Sequence, residues 1–162
     1  MRFTACSERK LYHSGVTGRV LAVDVGARRV GLAISDASRT LARPLEAIAV
    51  SSELDAANRV ARRIEQLAGE DAEIGAVVVG LPLALDGAAT PQTARVRAFI
   101  ELLAKRTTLP IVTEDERLTS VEAESRLAVH ERDWRKRKAQ LDAAAAAIFL
   151  QDYLDRTSDA GA

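Results

Sequence analysis

The chain has 162 residues, a length that suits one compact domain, and a formal net charge of +0, so no global field draws it to nucleic acid or membrane. It is 48% hydrophobic but only 4% aromatic, so its core must be built from Ala, Val, Leu and Ile. Cys6 is the only cysteine and His13 and His130 the only histidines, which excludes an internal disulfide framework and a cysteine- or histidine-rich metal cage.

The first 18 residues, MRFTACSERKLYHSGVTG, lack any period and any signal-peptide apolar region, and read as a flexible extension of residues 1–18. Strands are expected around 19–25, 29–35 and, more weakly, 43–50. Ser52 with Asp55 resembles a capping box that opens a helix, with Val60, Ile64 and Leu67 at i, i+4, i+7. IGAVVVGL, residues 74–81, is a continuous apolar run, the mark of a strand buried on both faces. Thr90 and Pro91 start a second helix striped with Val96, Phe99, Ile100 and Leu103.

Pro110 precedes a short strand, IVTED. Thr119 and Glu122 form a capping box for a short helix, and a last helix is expected from about Lys138 to Leu154. RTSDAGA, residues 156–162, reads as a frayed tail. Strands first, then alternating helix and strand, imply a meander joined to right-handed parallel crossovers in one domain over 19–155. No apolar run reaches the roughly 18 residues of a membrane span. The expectation is a soluble cytoplasmic protein with no membrane partner.

Three acidic features stand out. Asp24 lies inside the apolar strand VLAVDV, on the face of Val20 and Ala22; the plain alternative is a turn residue, with Gly26 supplying a positive φ. TEDER, Thr113 to Arg117, ends the last strand with three consecutive acids, which a solvated strand end also explains. Asp142 lies early in an alanine-rich helix, where a first-turn acid suits the helix dipole.

In a sheet with parallel crossovers, strand C-termini converge on one edge, where these groups could meet. Carboxylates 4 Å apart repel by roughly 4 kcal/mol at an effective dielectric of 20, which calls for a cation. Oxygen donors without His or Cys favour Mg²⁺ or Mn²⁺, and such ions serve phosphodiester chemistry.

VLAVDVGARRVGLAISD (Val20–Asp36), GLPLALDGAATPQTARVRAF (Gly80–Phe99), DERLTS (Asp115–Ser120) and LDAAAAAIFLQDYLD (Leu141–Asp155) together resemble the YqgF-type Holliday junction resolvases, also described as nucleases maturing the precursor of small-subunit ribosomal RNA. The similarity spans about residues 19–155, with four motifs in order. It implies an α/β, RNase H-like fold: a five-stranded mixed sheet flanked by helices. It also implies a catalytic, metal-binding triad of Asp24, Glu116 and Asp142; parity alone did not choose among Glu114, Asp115 and Glu116. The chain departs from the family in its longer leader and in RKRKAQ before Asp142, where the family often has a glycine.

Five of the seven residues in RDWRKRK, 132–138, are basic. They suit either a solvated linker or a phosphate-binding loop, with Trp134 stacking on a base and Arg135, Lys136 and Lys138 at phosphates. Arg95, Arg97 and Arg117 could contact phosphate, against the alternative of surface ion pairs. Arg28 and Arg29 could face the same way, Asp86 and Gly87 shape a loop at the rim, and Asp36 reads as a strand-end residue.

The leading reading is a metal-dependent endonuclease acting on pre-16S rRNA at its 5′ end. The alternatives are a resolvase of branched DNA, which needs a dimer where an RNA nuclease could be a monomer, and a noncatalytic nucleic-acid-binding module in ribosome assembly. DVGARRVG also resembles the phosphate loop of actin-like ATPases and sugar kinases, but those grip nucleotide between two such domains and this chain has length for one.

Overall fold

The computed structural model describes residues 17–115 and 133–159. The Thr119–Glu122 helix start, Glu116 and Arg117 lie outside them. In chain order the described elements are β1 (Arg19–Val25), β2 (Arg29–Ser35), β3 (Ala42–Ala49), α1 (Glu53–Gly69), β4 (Ile74–Leu81), α2 (Pro91–Ala104), β5 (Ile111–Asp115) and α3 (Trp134–Asp159).

The strands form one five-stranded sheet in the order β3-β2-β1-β4-β5. β1–β2 and β2–β3 pair antiparallel, while β1–β4 and β4–β5 pair parallel. This is the expected mixed sheet, a meander followed by parallel crossovers. It has two covered faces. Leu21, Val23, Val30, Leu32, Val77 and Val79 pack with Val60 and Leu67 of α1 and with Val96, Phe99 and Leu103 of α2. Val20, Ala22, Ala33, Ala76, Val78 and Val112 pack with Ala146, Phe149, Leu150 and Tyr153 of α3. Burial on both faces is why β4 carries no polar alternation. The small residues on the α3 side let that helix come close to the sheet.

The helix starts follow the expected chemistry with one difference. The Ser52 side chain accepts the Asp55 N–H at 3.1 Å, but the Asp55 carboxylate reaches back to Ser51, taking its N–H at 3.0 Å, instead of to the cap residue itself. In α2 the box is complete: Thr90 and Thr93 exchange side-chain and backbone bonds, with Pro91 at the first helical position.

Two expectations need correction at the chain's end. α3 starts at Trp134, not near Lys138, so the basic stretch 134–138 is helical and not a loop. Arg and Lys are good helix formers, and the missing glycine removes the stop that the family pattern suggests. α3 also runs past Leu154 to Asp159, because the Thr157 and Ser158 hydroxyls bond back to the Tyr153 and Leu154 carbonyls at 2.6 and 2.8 Å. At the other end, Gly18, placed in the leader by sequence, is tied to the body: Arg39 Nε donates to its carbonyl at 2.8 Å.

Candidate active site

Asp24 is the last residue but one of β1 and is half-buried. Strand alternation puts it with Val20 and Ala22 on the face that α3 covers. Its register partner across the β1–β2 hairpin is Gly31. The hairpin is tight, with the Gly26 N–H donating to the Arg29 carbonyl at 2.8 Å. A Cβ on Gly26 would sit 2.8 Å from that carbonyl oxygen, and its φ is not in the positive range. The positive φ of the turn-residue alternative is therefore absent at Gly26; glycine is required there by close approach.

Gly31 is the feature that sequence reading missed. A Cβ on it would lie 2.2 Å from the Asp142 carbonyl oxygen. The backbone of α3 thus touches β2 at the residue paired with Asp24, and this brings the Asp24 and Asp142 positions together across one glycine. A glycine inside a strand is a recognised sign of such close approach, so the signal was present.

Asp142 is half-buried and accepts a hydrogen bond on Oδ2 from Arg29 Nε at 3.1 Å. Burial pushes its carboxyl up from the ordinary value, against the opposing pull of Arg29 and, more weakly, Lys138. Its donors are hard oxygens. That donor chemistry fits a divalent cation of the magnesium or manganese type. Among the described residues no group of three or more His, Cys, Asp or Glu gathers as a metal cage; Asp24 and Asp142 supply two carboxylates, and the expected third, Glu116, lies outside those residues.

The other acids of TEDER separate by face. Val79 pairs with both Val23 and Thr113, so Glu114 lies one step on, at the level of Asp24. Two strand spacings put their backbones about 10 Å apart. Glu114 is 9% exposed and forms an ion pair with Arg156 of α3, while Asp115 is exposed on the other parity.

The rim at this edge comes from the GLPL motif. Gln92 Nε2 donates to the Val25 carbonyl at 2.8 Å, one residue beyond Asp24. The Thr93 hydroxyl donates to the Pro82 carbonyl. Between them Leu83 and Ala89 bridge, the Asp86 carboxylate accepts the Ala88 N–H at 2.9 Å, and Gly87 takes a φ of 85°. The expected turn-shaping by Asp86 and Gly87 is met.

The basic candidates are scattered differently. Arg95 is exposed and its Nε faces Glu53 at 3.8 Å, the surface ion pair that was the alternative. Lys136 and Lys138 are exposed at the start of α3; Trp134 and Arg135 belong to the same helical turn. Arg28 is exposed, whereas Arg29 turns to Asp142. Arg117 lies outside the described residues.

Comparison with known proteins identifies the family. Residues 18–156 match the family model RuvX, described as Holliday junction resolvase. A protein of Roseiflexus sp. (strain RS-1), named "Putative pre-16S rRNA nuclease", is 41% identical over 142 residues, covering 88% of this chain and 97% of the relative. One from Chloroflexus aggregans with the same name is 44% identical over 138 residues, covering 84% and 92%. Among solved structures, RuvC of T. thermophilus in complex with a Holliday junction substrate overlays with a TM-score of 0.50 at 16% identity, covering 86% of this chain and 95% of that one. That likeness shows a shared fold.

Proposed function

This chain belongs to the RuvX, Holliday junction resolvase, family and is a phosphodiester-hydrolysing enzyme, and from that premise we propose that it is a metal-dependent endonuclease maturing the 5′ end of pre-16S rRNA. The observation that carries the proposal is the meeting of the Asp24 and Asp142 positions across Gly31. The relatives named as pre-16S rRNA nucleases supply the substrate.

Asp24, Glu116 and Asp142 are the residues that would hold Mg²⁺ or Mn²⁺. Such an ion, when bound, supplies positive charge where negative charge builds on a cleaved phosphodiester. The chain's own part is to hold its carboxylates rigidly: Asp24 by a strand whose apolar neighbours are fully buried, Asp142 by Arg29.

The start of α3 supports a polyanionic substrate. Arg135, Lys136, Arg137 and Lys138 all sit in its first turns, and no acid occupies the first turn. Cations at a helix N-terminus oppose its dipole by about 0.3–1 kcal/mol each. A local conflict of this kind, beside the carboxylates, suits a strand of phosphates. Trp134, Arg135, Lys136 and Lys138 are the proposed contacts from the start of α3, with Arg117, the residue after Glu116 in sequence, and with Arg95 where substrate displaces its exposed contact with Glu53.

A second reading, cleavage of branched DNA, is favoured by the family's description. It requires two sites and so a homodimer. The test offers a 5′-extended 16S rRNA fragment and a four-way DNA junction in parallel, with Mg²⁺ or Mn²⁺ and with Asp24→Asn as the comparison. The RNA is expected to be cut at its mature end, with the variant slower by about 100-fold or more, a loss of ~3 kcal/mol of transition-state stabilisation. Equal cleavage by both proteins would remove the carboxylate assignment. Cutting of the junction alone would favour the second reading, and cutting of neither substrate a binding module.

A further inference from the structure

The Asp142 carboxylate is tied to the sheet through the Arg29 guanidinium, Nε to Oδ2 at 3.1 Å. Arg29 is itself anchored by its backbone, whose carbonyl accepts the Gly26 N–H and whose register partner is Ala49 of β3. The two side chains are 21% and 32% exposed, so the bond is partly shielded from water. Sequence reading allowed Arg29 to face the substrate together with Arg28, yet its guanidinium is turned to a carboxylate 113 residues away in the chain. Lys138, a second described cation that acts on Asp142, stands exposed on α3 itself and cannot join helix to sheet.

We propose that Arg29 is a positioning residue: it clamps Asp142 through Oδ2, fixes the site end of α3 against the β1–β2 hairpin, and leaves Oδ1 as the oxygen offered to a divalent cation. This rests on the reading of Asp24 and Asp142 as cation ligands. A carboxylate with one oxygen held and the other presented loses little rotamer freedom when a cation arrives, whereas a free one must be ordered at that moment. Arginine suits the task because its planar fork holds direction as well as charge.

The test uses the full chain as wild type, Arg29→Gln, Arg29→Lys and Asp24→Asn. Mn²⁺ affinity is measured by following free Mn²⁺ in electron paramagnetic resonance. Cleavage of the 5′-extended rRNA fragment is then measured at saturating Mn²⁺. Arg29→Gln is expected to weaken Mn²⁺ binding 10–100-fold, as estimated for lost ligand-orienting contacts. Arg29→Lys should fall between it and wild type, and KM for the RNA should stay unchanged in both.

Tighter Mn²⁺ binding by Arg29→Gln would make Arg29 a competitor of the cation and overturn the proposal. Unchanged Mn²⁺ affinity with a raised KM would make it a phosphate contact and do the same. Metal-free melting curves check folding; if the Gln variant does not fold, the Lys variant decides, several-fold weaker binding supporting the proposal and wild-type affinity ending it. Wild-type Mn²⁺ affinity in Asp24→Asn would break the underlying carboxylate reading, whatever Arg29 does.

Discussion

Asp36 stands one residue beyond β2 and organises the turn into β3. Its carboxylate accepts the Ser38 hydroxyl at 2.7 Å and the N–H groups of Thr40 and Leu41 at 2.8 and 3.1 Å. These bonds, Ser38 first, hold its carboxyl below the ordinary value. The folded chain therefore binds this proton more weakly than the unfolded chain. The resulting stability is fully present above the ordinary aspartate range, about pH 4, and is lost as pH falls through the lower folded value. Asp36→Asn should flatten the acid limb of stability below that range, which thermal melts at stepped pH would read; an unchanged limb would assign acid sensitivity to other carboxylates. Sequence placed Asp36 correctly at the strand's end. Its ring of donors was not legible, because it depends on the path of residues 38–41.

Among the elements, α2 is the one whose start does more than start a helix. Thr93 is fully buried, exchanges bonds with Thr90, and donates to the Pro82 carbonyl, so one hydroxyl serves the helix cap and the loop after β4. Thr93→Val keeps the shape but leaves the Thr90 N–H and the Pro82 carbonyl without that partner. The expected loss is about 1–3 kcal/mol by denaturant titration, with slower cleavage because the GLPL loop frames the Asp24 edge. A change under about 0.5 kcal/mol would show that water replaces the hydroxyl. The sequence announced this helix through Thr90, Pro91 and its apolar stripe. α3 was less legible at its ends, since Arg and Lys carry it upstream of Lys138 and the side-chain bonds that extend it to Asp159 are made only once it is helical.

For the whole molecule the decisive contact is α3 on the sheet at Gly31. Gly31→Ala puts a methyl 2.2 Å from the Asp142 carbonyl oxygen, inside any allowed contact, so helix or strand must move. A stability loss of about 1–3 kcal/mol or more is expected, together with weaker Mn²⁺ binding, because the displaced segment carries Asp142. Gly69→Ala is the contrasting case: nothing lies within 4 Å of the added carbon, and it falls in the last turn of α1. There alanine should gain about 0.5–1 kcal/mol. Equal effects of the two substitutions in melting experiments would show that the α3 contact relaxes without cost.

Local pattern by itself determined the described elements and their order, because buried strands and amphipathic helices write their periods into the chain. It also singled out Asp24, whose charge conflicts with its apolar neighbours, and four ordered motifs carried the family and the proposed triad. Only tertiary structure decided which side chains meet. Arg29 and Asp142, distant in sequence, pair because a tight hairpin and a glycine let α3 lie against β2. Glu114 differs from Asp115 because strand parity turns one toward Arg156 and the other away. Such contacts depend on the docking of one element on another over many residues, and no local period records them.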